Sequence, residues 1–266
     1  MARDSCDAPE DKRMMSFWDH LEELRWRIIK SIIAILVGGI ASLAFSDGLL
    51  GLLLKPARDL GPSVKLVNLT PLSMVMVRLY IALVAGLLVG LPVTVYQVWR
   101  FISPGLYRHE RRAVPWVLLS TLALFTLGAL LAYSMMPYLF RVLVEAGYQG
   151  VENMWNIREY MGFLLGFMAA FGVVFELPVL IYILSVIGIV SPALLRRFRR
   201  WAILLVFIVA AVLTPSPDPF SQVAMAVPLL ILFELSIFVS AMVWRGKIKR
   251  KKAELAASEE EASDGG

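Results

Sequence analysis

The stretch Phe171–Leu180 reads "FGVVFELPVL" and places a carboxylate, Glu176, near the middle of an apolar run. That run extends over the 31 residues from Tyr160 to Val190, and Glu176 is its single charge. A helix of about 20 apolar residues crosses the hydrocarbon core of a membrane. The run therefore predicts a membrane-spanning helix. Its carboxylate needs an explanation, because charged groups are costly in lipid.

Small residues share the predicted helix face of Glu176. They recur at intervals of three and four residues, at Gly162, Gly166, Ala169 and Gly172. Small side chains allow a neighbouring helix to approach closely, and Pro178 removes a backbone hydrogen-bond donor near the carboxylate. We therefore expect Glu176 to form an intramembrane polar site between helices. The alternative is a carboxyl group that is bonded within the bundle and serves packing alone.

The composition extends this prediction to the whole chain, which is 59% hydrophobic over 266 residues. Six apolar segments are visible: Ile28–Phe45, Leu79–Trp99, Ala113–Phe140, Tyr160–Val190, Trp201–Leu213 and Phe220–Trp244. Trp201–Leu213 is the shortest, with 13 residues before the proline-rich "TPSPDP", so it is either a short fifth span or half of a re-entrant hairpin. We expect an all-α membrane protein of six helices, with the fifth and sixth short or closely paired.

Positive charges indicate the orientation of these helices. Twenty of the 26 Lys and Arg residues lie in four segments, at 1–30, 100–112, 196–200 and 245–252. Six spans would place all four segments on one side, and the positive-inside rule makes that side cytoplasmic. We therefore expect a protein of the cytoplasmic (inner) membrane with both termini in the cytoplasm. Residues 1–245 would form the membrane domain and 246–266 a disordered tail, basic and then acidic.

Two carboxylates in the predicted cytoplasmic segments are candidate binding residues. In "SFWDHLEELRWRII" (Ser16–Ile29), Glu23 lies four residues before Arg27, a spacing typical of an ordinary helical ion pair. In "RFISPGLYRHERR" (Arg100–Arg112), Glu110 is surrounded by arginines. For both residues, local charge balance is the alternative to a binding role.

Five motifs together resemble the TatC family, the multispanning receptor subunits of the twin-arginine protein translocase. They occur in family order across nearly the whole chain: "HLEELRWR" (His20–Arg27), "YQVWRFISPGLYRHERR" (Tyr96–Arg112), "FGVVFELPV" (Phe171–Val179), "TPSPDPFSQ" (Thr214–Gln222) and "LFEL" (Leu232–Leu235). The resemblance implies six helices in a concave, glove-like bundle. It also implies binding of signal peptides with paired arginines, and export of folded proteins driven by the proton gradient.

The resemblance assigns roles to particular residues. Glu23 and Glu110 match the glutamates that bind the arginine pair, through charge-assisted bonds of the kind that guanidinium groups form with carboxylates. The positions that shape this site are Arg25, Arg27, Phe101, Tyr107 and His109. Glu176 matches the intramembrane polar residue of the family. Contacts with the single-span partners TatA and TatB are assigned to Asp218, Gln222 and Pro56, and membrane lipids and further copies in the complex are expected as well.

Two other classes of membrane protein are alternatives to a translocase receptor. An intramembrane zinc protease needs H-E-x-x-H, but His109-Glu110 is followed by "RRA" and has no second histidine. The other histidine of the chain, His20, also lies in a predicted cytoplasmic segment, so no histidine is expected inside the membrane. We therefore expect no enzyme, no metal, no cofactor and no nucleic acid. A secondary transporter that uses Glu176 as its central carboxylate is the alternative left open, although no inverted repeat is evident.

Overall fold

The computed structural model of the chain describes residues 17–61, 64–102, 114–145, 153–213 and 219–264. These ranges contain nine helices and two short strands. In chain order they are α1 (Phe17–Leu43), α2 (Ser46–Leu53), α3 (Lys55–Arg58), β1 (Val64–Val67), α4 (Ser73–Ile102), α5 (Val114–Glu145), β2 (Asn153–Asn156), α6 (Ile157–Phe175), α7 (Leu177–Ile187), α8 (Pro192–Leu213) and α9 (Pro219–Asp264). The predicted helical fold is confirmed, with one small sheet in addition.

Helices α1 and α4 form the most extensive contact between two elements of the bundle. Glycines bring the two backbones together: a Cβ atom added to Gly86 would lie 2.5 Å from the carbonyl oxygen of Ile35. At Gly90, an added Cβ would lie 2.9 Å from the Cα atom of the same residue. Because small residues permit this close approach in membrane helices, the pair is fixed by backbone contact.

The predicted small-residue face of α6 does not pack against a single helix. A Cβ atom on Gly172 would lie 2.7 Å from the ring of Phe125 in α5, whereas Gly162 lies beside Tyr80 of α4. Gly166 is exposed, and no atom of the described residues lies within 4 Å of the position its Cβ would take. The neighbours of α6 therefore change along its length, and the close approach that its small residues allow is present at Gly172 but not at Gly166.

The apolar run that contains Glu176 is a broken helix. Helix α6 ends at Phe175, and α7 begins at Leu177 with Pro178 in its first turn. Glu176 lies between the two with a φ of −75° and a ψ of −9°. Proline is well tolerated in the first turn of a helix, where its missing N–H has no intrahelical partner. The run can therefore still act as one candidate span of 31 residues.

Helix α8 is longer than the apolar segment Trp201–Leu213. It has 22 residues, or about 33 Å at the usual helical rise. Its first turn is supported by Ser191, whose hydroxyl accepts the backbone N–H of Leu194 at 3.2 Å. The predicted helix of 13 residues was too short, because the arginines at 196–200 continue the helix instead of preceding it.

Helix α9 packs against both α7 and α8. It continues to Asp264, across most of the segment 246–266 that was expected to be disordered. This segment is rich in Ala, Glu and Lys, which have high helix propensity. The structure carries the helix as far as Asp264, and the division of the chain at residue 245 into a membrane domain and a tail stays a prediction.

A small layer closes the end of the bundle opposite to the start of α1. Strands β1 and β2 pair in parallel, with Val64 opposite Asn153 and Val67 opposite Asn156. Two tyrosine hydroxyls donate to the end of α2 at 2.8 Å: that of Tyr133 to the carbonyl of Leu52, and that of Tyr160 to the carbonyl of Leu53. Sequence periodicity missed these strands because each has only four residues.

The outer surface of the bundle is strongly apolar. Val212 and Phe220 are each 79% exposed, and many other large aliphatic side chains also point outward. Contiguous apolar surface of this kind marks contact with a membrane or with other proteins. Five helical segments of the described residues are long and apolar enough to span a membrane, and α8 is not among them. The chain is therefore a helical membrane protein.

Candidate functional site

Glu23 lies near the beginning of α1 and forms an ion pair with Arg27. The Arg27 guanidinium also donates to the backbone carbonyl of Gln97 in α4, at 3.4 Å. The side chains are 25% exposed for Glu23 and 12% for Arg27. The expected pairing at i and i+4 is present, and the contact with α4 and the partial burial distinguish it from an ordinary surface pair.

The other residues assigned to peptide binding are described to different extents. Arg25 is exposed on α1, and Phe101 is half-buried in the last turn of α4. Tyr107, His109 and Glu110 lie outside the described residues, in the segment 103–113. The sequence did not predict the contact with Gln97, because every residue has a backbone carbonyl that can accept a hydrogen bond, whatever its side chain.

Glu176 occupies the break between α6 and α7, where both of its carboxylate oxygens are buried. The hydroxyl of Thr121 in α5, which is fully buried, faces this carboxyl group. Neither carboxylate oxygen makes a hydrogen bond of normal geometry to any described residue. A polar pair thus lies inside an apolar bundle, and the intramembrane site at Glu176 stays a prediction. Thr121 was overlooked because it is one hydroxyl in a long apolar segment.

A cavity of about 290 Å³ is lined in part by residues that are near Glu176 and Thr121 in sequence. Helices α5, α7 and α9 line it, with Val117, Pro178, Val179, Tyr182 and Leu235 among the lining residues. Pro178 follows Glu176 by two residues, so the break in the helix contributes to the cavity wall. The cavity is mostly apolar and suits an apolar occupant better than a charged one.

The predicted partner-contact residues lie in three different settings. Gln222 of α9 donates from its side-chain amide to the carbonyl of Phe207 in α8, at 3.1 Å, and so joins the two helices. Asp218 lies outside the described residues. Pro56 is fully buried in α3, so this structure does not present its ring to a partner. The short helix α3 packs Pro56 inward, which the sequence of an outer loop did not indicate.

One further carboxylate, in the last apolar segment, has a clear partner. Glu234 of α9 forms an ion pair with Arg199 of α8, at 2.7 Å. An ion pair lowers the cost of a charge near lipid. Glu234 belongs to the motif "LFEL" (Leu232–Leu235), and the sequence did not indicate Arg199 as its partner.

A family model described as TatC, Sec-independent protein translocase protein, matches residues 19–228. The TatC protein of Aquifex aeolicus is 37% identical over 90% of this chain and 100% of its own length. That of Carboxydothermus hydrogenoformans is 40% identical over 88% of this chain and 96% of its own. The TatC protein of Halothiobacillus neapolitanus is 38% identical over 97% of this chain and 71% of its own length.

Two solved structures are similar in fold as well as in sequence. A crystal structure of the twin-arginine translocase receptor TatC matches with a TM-score of 0.72 and 37% identity, over 84% of this chain and 99% of that one. A second crystal structure of this receptor, in DDM, gives a TM-score of 0.73 and 38% identity. These matches favour a translocase over the secondary transporter that the sequence left open. The chain belongs to the TatC family of Sec-independent protein translocase proteins.

Proposed function

We propose that this chain is the receptor subunit of a twin-arginine translocase. It binds signal peptides with paired arginines at its basic end and supports export of folded proteins, with the proton gradient as the source of energy. Membership in the TatC family supports this proposal, as do the similar receptor structures. The family name describes protein translocation, which agrees with a role that is not enzymatic.

The observation that carries the proposal is the environment of Glu23. Its carboxylate is partly buried, and Arg27 and the end of α4 hold the pair in place. The guanidinium of a signal-peptide arginine can therefore bind the Glu23 carboxylate, either in place of Arg27 or beside it, and the carboxylate is already held in position. Arginine suits this exchange because its planar fork forms two parallel bonds with a carboxylate.

Glu110 supplies the second carboxylate in this proposal. It belongs to the segment that follows α4 directly, so it lies at most eight residues along the chain from the end of that helix, Ile102. Arg27 contacts the last turns of α4 from the side of Glu23. Chain connectivity therefore supports a shared site at this end of the bundle, with Arg25, Phe101, Tyr107 and His109 around it.

The test is binding of a labelled peptide, with two arginines ahead of an apolar stretch, to the purified protein in detergent. We expect Glu23→Gln to weaken binding about ten- to a hundredfold, the usual effect of losing a charged hydrogen bond. A peptide with two lysines should bind more weakly than the arginine peptide, because lysine lacks the planar fork.

Glu22→Gln is the matched control. Glu22 is exposed on the same turn of α1, and its replacement removes the same charge. It should leave binding nearly unchanged. Equal affinity of wild type, Glu23→Gln and Glu110→Gln for the arginine peptide would contradict the carboxylate site.

The proposal also concerns the architecture and the partners. Helix α8 would be the fifth of six spans in a glove-like bundle, with both termini in the cytoplasm and the protein in the inner membrane. Its 22 residues, about 33 Å of helix, support this. Because only its part Trp201–Leu213 is apolar, we expect the bilayer beside it to be thinner than usual. TatA- and TatB-type single-span proteins would bind near Asp218 and Gln222, and several copies of the chain would share one complex.

A further inference from the structure

A cleft of about 840 Å³ lies on the basic part of α8, away from the residues assigned to peptide binding. It is lined by Arg197, Phe198, Arg200, Trp201 and Leu204. Four of these residues, Arg197, Arg200, Trp201 and Leu204, follow the spacing i, i+3, i+4 and i+7, so they share one face of the helix. This face changes from cationic to aromatic to aliphatic along the helix axis.

The arginines of this cleft are available to a ligand. Arg199, between them in sequence, forms an ion pair with Glu234 of α9. Within the part of the chain that the structure describes, neither Arg197 nor Arg200 has an acidic partner, and both side chains are exposed. Among the residues that the structure describes, no carboxylate neutralises these two guanidinium charges of the cleft.

The apolar part of the cleft is exposed as well. Trp201 is 67% and Phe198 is 51% exposed. Aromatic rings next to basic residues are typical of the boundary between headgroups and acyl chains in a membrane. Beyond them, α8 continues with the apolar residues up to Leu213. The order of charge, ring and aliphatic chain along the helix matches the order of phosphate, glycerol and acyl chain in a phospholipid.

We propose that this cleft binds an anionic phospholipid. Arg197 and Arg200 hold the phosphate of the headgroup with charge-assisted hydrogen bonds, since guanidinium groups bind phosphate in this way. Trp201 packs against the glycerol region, and Leu204 contacts the beginning of an acyl chain. A soluble acidic protein would satisfy the two arginines, but it would leave the apolar end of the cleft without a partner.

The experiment is native mass spectrometry of the purified chain titrated with phosphatidylglycerol or, in parallel, with phosphatidylcholine. Each basic residue close to an anionic lipid surface contributes about a fivefold gain in affinity. Arg197→Gln with Arg200→Gln should therefore weaken phosphatidylglycerol binding about 25-fold and leave phosphatidylcholine binding nearly unchanged.

The matched control is Arg245→Gln with Lys249→Gln on α9, which removes the same charge from two exposed positions at the same end of the bundle. It should change phosphatidylglycerol affinity much less than the cleft variant. Equal losses in the two double variants would show that diffuse positive charge, and not the cleft, attracts the lipid. Glycerol phosphate is the third arm: full competition by this soluble anion would overturn the assignment to a lipid.

A second measurement keeps the test decisive if the double variant does not fold. Phosphatidylglycerol with brominated acyl chains should quench tryptophan fluorescence more than brominated phosphatidylcholine does. That excess should disappear in Trp201→Phe, because Trp201 lines the cleft. An excess that persists unchanged in this variant would show that the anionic lipid binds elsewhere.

Discussion

At the scale of single residues, the two candidate carboxylates Glu23 and Glu176 occupy different environments. Glu23 has an arginine partner on its own helix. Glu176 faces the hydroxyl of Thr121 and has no cationic side chain bonded to it among the described residues. A paired carboxylate suits exchange with another cation, whereas a buried one beside a hydroxyl suits a role inside the membrane.

Replacement of Glu176 tests this distinction. We expect Glu176→Ala to leave peptide binding mostly intact, because the residue lies in the interior of the bundle and away from Glu23. Assembly with the single-span partners or transport should fall, because the polar group at the break is lost. Co-purification with the partners and export of a folded reporter measure the two effects.

Ser120→Ala is the control for this experiment, since it removes an exposed hydroxyl from the helix position next to Thr121. It should have little effect on either readout. Normal transport by a well-folded Glu176→Leu variant would reduce Glu176 to a packing residue.

At the scale of elements, glycine contacts fix which helices pair. Gly86 and Gly90 bring α4 to the backbone of α1, and Gly172 accepts the ring of Phe125 from α5. Such contacts hold helices together where the hydrophobic effect between them is weak. The sequence showed glycines in all these helices, but it did not show which of them meet a neighbour.

Gly86→Ala should destabilise the protein, because the added Cβ would lie 2.5 Å from the carbonyl oxygen of Ile35. Overpacking of this kind costs about 1–3 kcal/mol. The unfolding temperature in detergent should therefore fall by several degrees. Gly166→Ala is the matched control, because an alanine there meets open space and gains helix propensity. A larger loss at Gly166 than at Gly86 would contradict the helix pairing described here.

At the scale of the whole molecule, contacts between distant segments join the last hairpin to the rest of the bundle. The Ser185 hydroxyl of α7 donates to that of Ser240 in α9, at 2.8 Å. The indole N–H of Trp244 and the ammonium group of Lys247 donate to the carbonyls of Val190 and Val186, respectively. The later part of α9 therefore lies at the end of α7, which agrees with the arrangement that six spans require.

The orientation of the molecule can be tested with Cys6, the single cysteine of the chain. If the N-terminus is cytoplasmic, a membrane-impermeant maleimide should label Cys6 in inverted vesicles and not in intact cells, because a thiol must be accessible to react. The reverse pattern should hold for Cys6→Ser with Asn68→Cys, since Asn68 is exposed near the opposite end of the bundle. Labelling of Cys6 in intact cells would overturn the predicted orientation.

Sequence alone determined the features that depend on local pattern. The apolar segments, the positive charge at one end, Glu23 with its partner Arg27, and the family motifs are all readable along the chain, because helical period and membrane thickness constrain residue type directly. The sequence predicted a single helix across Glu176, and it indicated only that Pro178 removes a backbone donor there; the break itself appeared in the structure.

Tertiary structure alone decided which distant residues meet. The pairing of Arg199 with Glu234, the hydroxyl of Thr121 opposite Glu176, the burial of Pro56 and the strand pair β1–β2 all join segments that are far apart in sequence. Such contacts depend on how whole helices are placed, and a single sequence carries no local signal for that placement. The fold class and the candidate carboxylates were therefore predictable, whereas the contacts between distant helices required the assembled bundle.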